Sequence, residues 1–247
     1  VKIENPQLRS YIQNGYRQVE GWLQLPVLWA LSRVAAFQAD QKIVGASCEI
    51  GVHHGRFLLA IENVTPAGQK CYGVDIFDSQ HLNIDSSGKG SHDIFAENAA
   101  TYAAEPDRIE TRHLDSTSAE AHGFFRSIEG RVALFSIDGG HTRAHTVSDL
   151  MAAETCLCDG GVVFLDDLFN VDWPGVTEGL IDYLRGPSRL VPFASVGGKM
   201  MLCGLSQAKS YAAIIRQAAV DDEEMRPKAV KICGADYFSI RHMPKKA

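Results

Sequence analysis

The chain has 247 residues, 45% of them hydrophobic and 22% charged, and a formal net charge of −6 at neutral pH. That is enough apolar material for one large domain with a sizeable core. No basic stretch is long enough to track a phosphate backbone, the lysine pair at 245–246 being too short to count, so the balance argues against a nucleic-acid partner. No apolar run approaches the roughly 20 residues needed to span a bilayer, and no signal-peptide pattern opens the chain, so a cytoplasmic protein off the membrane is expected.

Six cysteines are too few for a disulfide scaffold, and Cys48, Cys71, Cys156, Cys158 and Cys203 fall in apolar patterns that read as reduced core thiols. The Cys156-x-Cys158 pair lacks the spacing and the second ligand pair of a metal site. The first residue is Val1, as expected of a trimmed chain or of part of a longer polypeptide.

Taken in order, residues 6–37 carry apolar positions at helical spacing, read as two helices broken near Pro26. They are expected to form a helical cap over residues 1–40, followed by one domain over 41–247. A first strand is predicted over 42–50, a helix over 56–64, a second strand over 71–75 and a polar loop over 78–91. A helix over 94–102, a strand over 108–113, an apolar strand over 132–137 and a helix through Cys156 follow. Residues 162–165 form another apolar strand after Gly160-Gly161, and a helix runs from Trp173-Pro174 to about Leu184. Residues 190–196 and 200–205 read as a closing strand pair, 209–219 as a helix, 220–227 as a charged connection and 229–241 as a last extended segment. Uniformly apolar strands alternating with helices indicate an α/β, doubly wound and mostly parallel sheet covered on both faces.

The organising stretch is Cys48-Glu49-Ile50-Gly51-Val52-His53-His54-Gly55, which leaves an apolar run and enters a helix. Its glycines suit a sharp strand-to-helix turn that lets a ligand approach the backbone, and Glu49 ends the strand in an acceptor-only carboxylate. The spacing is not the Gly-x-Gly-x-x-Gly of a pyrophosphate turn, which argues against a nicotinamide oxidoreductase. A carboxylate favours a ligand with a cation or with hydroxyl and amine donors, as S-adenosylmethionine has, and Val52 and His53 line the same turn. Asp75, about 20 residues on, is the ribose candidate. Asp115 or Ser116 is placed to meet a purine base, or to cap the next helix, or both.

Asp138 and Asp166-Asp167 end consecutive parallel strands, where open α/β sheets bind their ligands. Unpaired, three converging carboxylates repel one another, and a hard divalent cation such as Mg²⁺ relieves that. Successive strand residues point to opposite faces, so Asp166 and Asp167 share a ligand only if the strand has already turned; otherwise one of them caps a helix or holds a loop. His141, three residues past Asp138, is the candidate general base.

Glu49-x-Gly51-x-x-x-Gly55, Asp75, the Ile137-Asp138-Gly139-Gly140-His141 turn, Gly160 to Asp167 and Trp173-Pro174-Gly175-Val176 together resemble class I S-adenosylmethionine-dependent methyltransferases. They are most similar to metal-dependent small-molecule O-methyltransferases of the macrolide-sugar and aminocoumarin-sugar group. The resemblance covers roughly residues 42–205. It implies a Rossmann-like, seven-stranded sheet with a reversed last strand. It also implies cofactor contacts from Glu49, Gly51, Asp75 and Asp115, metal ligands Asp138, Asp166 and Asp167, and a base at His141; Gly55, Ser116 and Asp138 are further candidate cofactor contacts. The expected activity is methyl transfer to a hydroxyl of a small molecule, a sugar diol or catechol. A metal-independent methyltransferase and a non-catalytic S-adenosylmethionine-binding protein are the alternatives. A homodimer is plausible on symmetry grounds.

Overall fold

The computed structural model describes residues 2–244; the lysine pair at 245–246 lies outside the described residues. Two helices open the chain, α1 (Pro6–Asn14) and α2 (Leu25–Asp40). Asn5 caps α1 by accepting from the Leu8 backbone N–H at 2.8 Å. Each helix has a proline in its first turn, where a missing N–H costs nothing. Pro26 therefore starts the second helix rather than breaking a longer one, and the break is residues 15–24.

The sheet is built from β1 (Ala46–Ile50), β2 (Cys71–Asp75), β3 (Ile109–His113), β4 (Val132–Ile137), β5 (Leu157–Leu165), β6 (Leu190–Val196), β7 (Lys199–Gly204), β8 (Met225–Ile232) and β9 (Ala235–His242). Between them run α3 (Arg56–Glu62), α4 (His92–Tyr102), α5 (Ala119–Ser127), α6 (Arg143–Cys156), α7 (Pro174–Arg185) and α8 (Leu205–Asp221). The strand order is β3-β2-β1-β4-β5-β7-β6-β9-β8. Strands β1 to β5 pair in parallel and β7 runs antiparallel between β5 and β6, which is the doubly wound sheet with one reversed strand.

The sheet is wider than the expected seven strands. Strand β9 pairs in parallel with β6 and antiparallel with β8, giving nine. The connection read over 220–227 is instead the end of α8 and the start of β8, and the extended segment over 229–241 is a hairpin. Its two-residue turn is Cys233-Gly234, both at positive φ (47° and 84°), the geometry that matches the twist of paired strands.

Two apolar layers sandwich the sheet. Leu8, Trp29, Leu58, Phe95, Leu134, Phe164 and Tyr211 belong to one, under α1 to α4 and α8. Phe125, Phe135, Leu150, Val163 and Leu180 belong to the other, under α5 to α7. Within β4, Leu134 and Phe135 fall in opposite layers, as a strand buried on both faces requires. Cys48, Cys71, Cys156 and Cys203 are buried free thiols, while Cys158 is half-buried.

Candidate active site

The glycines of the β1 turn are fixed by crowding. A Cβ on Gly51, at φ 82°, would lie 1.8 Å from the Asp138 carbonyl oxygen, so the ends of β1 and β4 come together only through glycine. Gly55, at φ 92°, precedes α3, and a Cβ there would strike the Phe95 ring at 2.8 Å. Gly55 does not line the cavity; it closes the turn behind it. His53 is left-handed without being glycine (φ 52°), and its N–H donates to Asp75 Oδ2 at 2.8 Å. Phe77 N–H donates to the other oxygen of Asp75. Burial pushes the Asp75 carboxyl upward, and these backbone donors oppose it.

Glu49 is 1% exposed. Its Oε1 accepts from the Ser136 hydroxyl at 2.9 Å, and its Oε2 is buried with no partner among the described residues. Burial pushes its pKa up to about 8, with the Lys199 charge and the Ser136 hydroxyl opposing.

A cavity of about 540 Å³ runs from Glu49, Gly51, Val52 and His53 past Asp75, Asp115 and Ser116 to Asp138, His141, Asp166 and Asp167. That volume is in the range of small-molecule sites. Asp115 lines it, and its Oδ1 accepts from the Thr117 N–H and hydroxyl at 2.8 and 2.7 Å. Ser118, rather than Asp115 or Ser116, caps α5, accepting from the Ala121 N–H at 3.1 Å.

At the other end of the cavity the acids divide between two cations. The chain turns directly after β5, with Asp167 left-handed at φ 56°, so Asp166 and Asp167 point to different partners. Asp166 Oδ2 is hydrogen-bonded by Lys199 Nζ, which also lies 3.3 Å from Asp138 Oδ2. Lys199 is 1% exposed and its ammonium sits 4.8 Å from the Phe57 ring centroid. Burial alone would lower its pKa, but Asp138 and Asp166 outweigh that and raise it. For Asp138 burial raises the pKa, Lys199 opposes, and Asp166 and Asp167 add to the rise.

Asp167 faces His141 instead, with Nε2 3.0 Å from Asp167 Oδ2. The opposite ring nitrogen, Nδ1, is 2.9 Å from Asp85 Oδ2, which also accepts from the His141 N–H at 2.8 Å. The imidazole stacks on Trp173, with centroids 4.4 Å apart and an interplanar angle of 20°. With a carboxylate at each nitrogen the ring is held as the doubly protonated cation. Burial works against that charge, but the Asp167 hydrogen bond, the charges of Asp138 and Asp167 and the Asp85 hydrogen bond prevail and push the pKa up to about 9. Asp85 falls to about 2, because donors from Ser87 and His141 outweigh its burial. Asp167 is also lowered, its burial outweighed by the hydrogen bonds from His141 and Asn170.

Asp138, His141 and Asp167 each offer a ligand atom within 4.8 Å of the others, the one such group among the described residues. Asp166, committed to Lys199, is not in it. The acids Asp85, Asp138, Asp166 and Asp167 formally carry four negative charges against the two positive charges of Lys199 and the His141 imidazolium. Two are left over. His141 lies in the turn just before α6, whose cap is Thr142.

Sequence reasoning missed Lys199, Asp85 and the stacking role of Trp173. A lysine opening an otherwise apolar strand after Gly197-Gly198 was a usable signal for Lys199. Nothing local marked Asp85 among the other polar residues of its loop.

Residues 48–168 match the family model of a methyltransferase domain. Among solved structures, the O-methyltransferase NovP is similar over 72% of this chain and 78% of its own, at 13% identity and a TM-score of 0.55. The apo structure of CalS11, a TDP-rhamnose 3′-O-methyltransferase of calicheamicin biosynthesis, is similar over 79% and 85%, at 18% identity and a TM-score of 0.50. MycE, a methyltransferase of mycinamycin biosynthesis solved with Mg, SAH and mycinamycin VI, is similar over 81% of this chain and 54% of its own, at 19% identity and a TM-score of 0.55. No curated protein matches. At these identities the likeness is one of fold.

Proposed function

Because this chain is a methyltransferase, with that domain over residues 48–168 on a class I fold, we propose that it moves a methyl group from S-adenosylmethionine to a hydroxyl oxygen of a small-molecule acceptor. The observation that carries the reading is that one cavity joins the unpartnered, buried Glu49 Oε2 to a histidine held between two carboxylates. Residues 41–247 form the methyltransferase domain, and the helices before them form a cap that brings Trp22 to the cavity.

Glu49 is the counter-charge for a ligand ammonium: a buried carboxylate with a free oxygen stabilises a cation that can reach it. Asp75, locked by two backbone donors, keeps lone pairs for the ribose hydroxyls. Asp115 and Ser116, which line the same cavity, would hold the base. When bound, S-adenosylmethionine supplies an electrophilic methyl on a sulfonium. His141 would act as the base in the form whose Nε2 has first given its own proton to solvent: that nitrogen would then take the acceptor hydroxyl proton as the methyl passes to the oxygen, the donor C–S bond being exchanged for the new C–O bond. Asp85 keeps Nδ1 protonated, so Nε2 is the nitrogen that exchanges the proton, and Trp173 holds the ring plane. Much of the rate then comes from positioning.

The residues at this end fit a divalent cation such as Mg²⁺: two formal negative charges remain, and Asp138 and Asp167 offer oxygens from one face. A cation held there supplies Lewis acidity toward the acceptor oxygen. Lys199 favours a second reading, a metal-independent transferase, because it already brings a cation to Asp138 and Asp166.

Calorimetric titration of S-adenosylmethionine and S-adenosylhomocysteine, with EDTA or with Mg²⁺, tests the cofactor. Saturable binding of both under either condition is expected, and no binding under any condition overturns the reading. Transfer of labelled methyl to a panel of catechols and sugar diols, with and without chelation, then separates the two variants.

A further inference from the structure

Lys199 is delivered to the acids by the reversed strand. It opens β7 directly after the turn at Gly197 and Gly198, both left-handed at φ 56° and 89°. Leu168 N–H donates to the Gly198 carbonyl at 3.1 Å, tying that turn to the segment that follows Asp166-Asp167. The side chain is thereby aimed beneath the strand ends, where Nζ meets Asp166 Oδ2, Asp138 Oδ2 and the face of Phe57. It does not line the cavity that Asp138, Asp166 and Asp167 all reach.

We propose that Lys199 is a positioning residue that sets the strength and the composition of the divalent-cation site. Its ammonium grips Asp138 and Asp166 from behind, withdraws Asp166 from the ligand set, and leaves the oxygens of Asp138 and Asp167, beside His141, as the face offered to the ion. The inference rests on the methyltransferase reading in that the ion serves the acceptor.

Two physical consequences follow. A buried ammonium 3.3 Å from Asp138 Oδ2 lowers the affinity of the site for any cation that Asp138 also holds, since it already offsets part of that ligand's charge and two cations sharing one carboxylate repel each other where water is excluded. Removing the ammonium also frees Asp166 to turn toward the ion. The lysine thus acts as a built-in partial substitute for metal charge, holding the acids in place without one and weakening the grip on one that binds.

The probe is Mn²⁺, followed by the electron paramagnetic resonance signal of the free ion at mildly alkaline pH, with S-adenosylhomocysteine titrated into the same samples. Lys199→Met is expected to bind Mn²⁺ at least about ten-fold tighter than the wild type, or to bind it where the wild type does not. Lys199→Arg, which keeps the charge, should stay within about three-fold of wild type. Adding Asp166→Asn to Lys199→Met should cancel most of the gain, because the freed carboxylate is then missing. Mn²⁺ affinity that is unchanged or weaker in Lys199→Met overturns the proposal, as does an absence of binding in every form. If the Met variant does not fold, Lys199→Gln, neutral and still a donor, takes its place with the same expectation. Unmoved Mn²⁺ affinity with intact S-adenosylhomocysteine binding rejects the role of Lys199 alone. Loss of S-adenosylhomocysteine binding in the wild type rejects the cofactor reading instead.

Discussion

The two ends of the cavity hold their carboxylates in opposite ways. At the ends of β1 and β2, the buried Glu49 and the half-buried Asp75 take their hydrogen bonds from neutral donors, a serine hydroxyl for one and two backbone N–H groups for the other. At the ends of β4 and β5, each acid meets a cation that the chain carries itself: Lys199 for Asp138 and Asp166, His141 for Asp167 and Asp85. Glu49 keeps one buried oxygen without a hydrogen-bond partner among the described residues, and in the proposed reading this first end receives a cation from outside. The second end is already braced, and its braces fix the geometry of the group proposed to handle the proton.

The largest expected effect breaks the second end alone. His141→Ala should lower the rate of methyl transfer by about 10²–10⁴-fold while leaving S-adenosylhomocysteine affinity nearly unchanged, measured by single-turnover transfer and calorimetry. A parallel loss of cofactor affinity would mean that the two ends are not separable. Glu49→Gln strikes the first end: cofactor affinity should fall roughly ten- to a hundred-fold, the worth of a charge-assisted hydrogen bond.

The same end has a pH signature. With its pKa near 8, Glu49 carries a proton in the unliganded protein at neutral pH and must lose it to pair with an ammonium. Cofactor binding should therefore release a proton and weaken as pH falls below about 8. Binding heats measured in buffers of different ionisation enthalpy report that proton, and Glu49→Gln should abolish it.

Asp85→Asn tests whether the brace acts through His141. A loss of about ten- to a hundred-fold in kcat with little change in KM is expected, because the ring keeps its place on Trp173 but loses the acceptor that orients it. A change confined to KM would place Asp85 in acceptor binding instead.

The smallest effect concerns Asp149, on α6 behind Gly139, whose buried carboxyl is raised to about 7 by desolvation against the nearby Ser116 hydroxyl. A carboxyl with a folded pKa above its unfolded value of 3.8 contributes stability fully below that value and loses it as pH rises through about 7. Asp149→Asn should flatten this dependence, raising the melting temperature by a few degrees at about pH 8 and changing it little below about pH 4. Equal shifts at both pH values would mean that the carboxyl is not the titrating group.

Much of the first end was legible in the sequence because its determinants are local. A strand that ends in an acid and turns on glycines at positive φ needs only a few neighbouring residues, and Glu49, Gly51 and Asp75 follow from that. The second end was legible only as a set of acids. The braces join residues 56 positions apart for Asp85 and His141, and 61 apart for Asp138 and Lys199. Alternation along β5 warned that Asp166 and Asp167 diverge, but it could not name the two cations that receive them. The sheet shows the same limit: the uniformly apolar strands of its core follow from periodicity and the count of seven from the family resemblance, whereas the added β8 and β9 are partly exposed and carry a weaker pattern.

By itself, then, the sequence determined a doubly wound sheet, the glycine turn that follows β1 and the strand ends where acids collect, because periodicity, glycine conformation and strand polarity are properties of short segments. Only the tertiary structure decided which charge each acid faces. That depends on a reversed strand bringing Lys199 under β4 and β5 and on a polar loop folding Asp85 onto His141, and no local preference encodes where such distant segments meet.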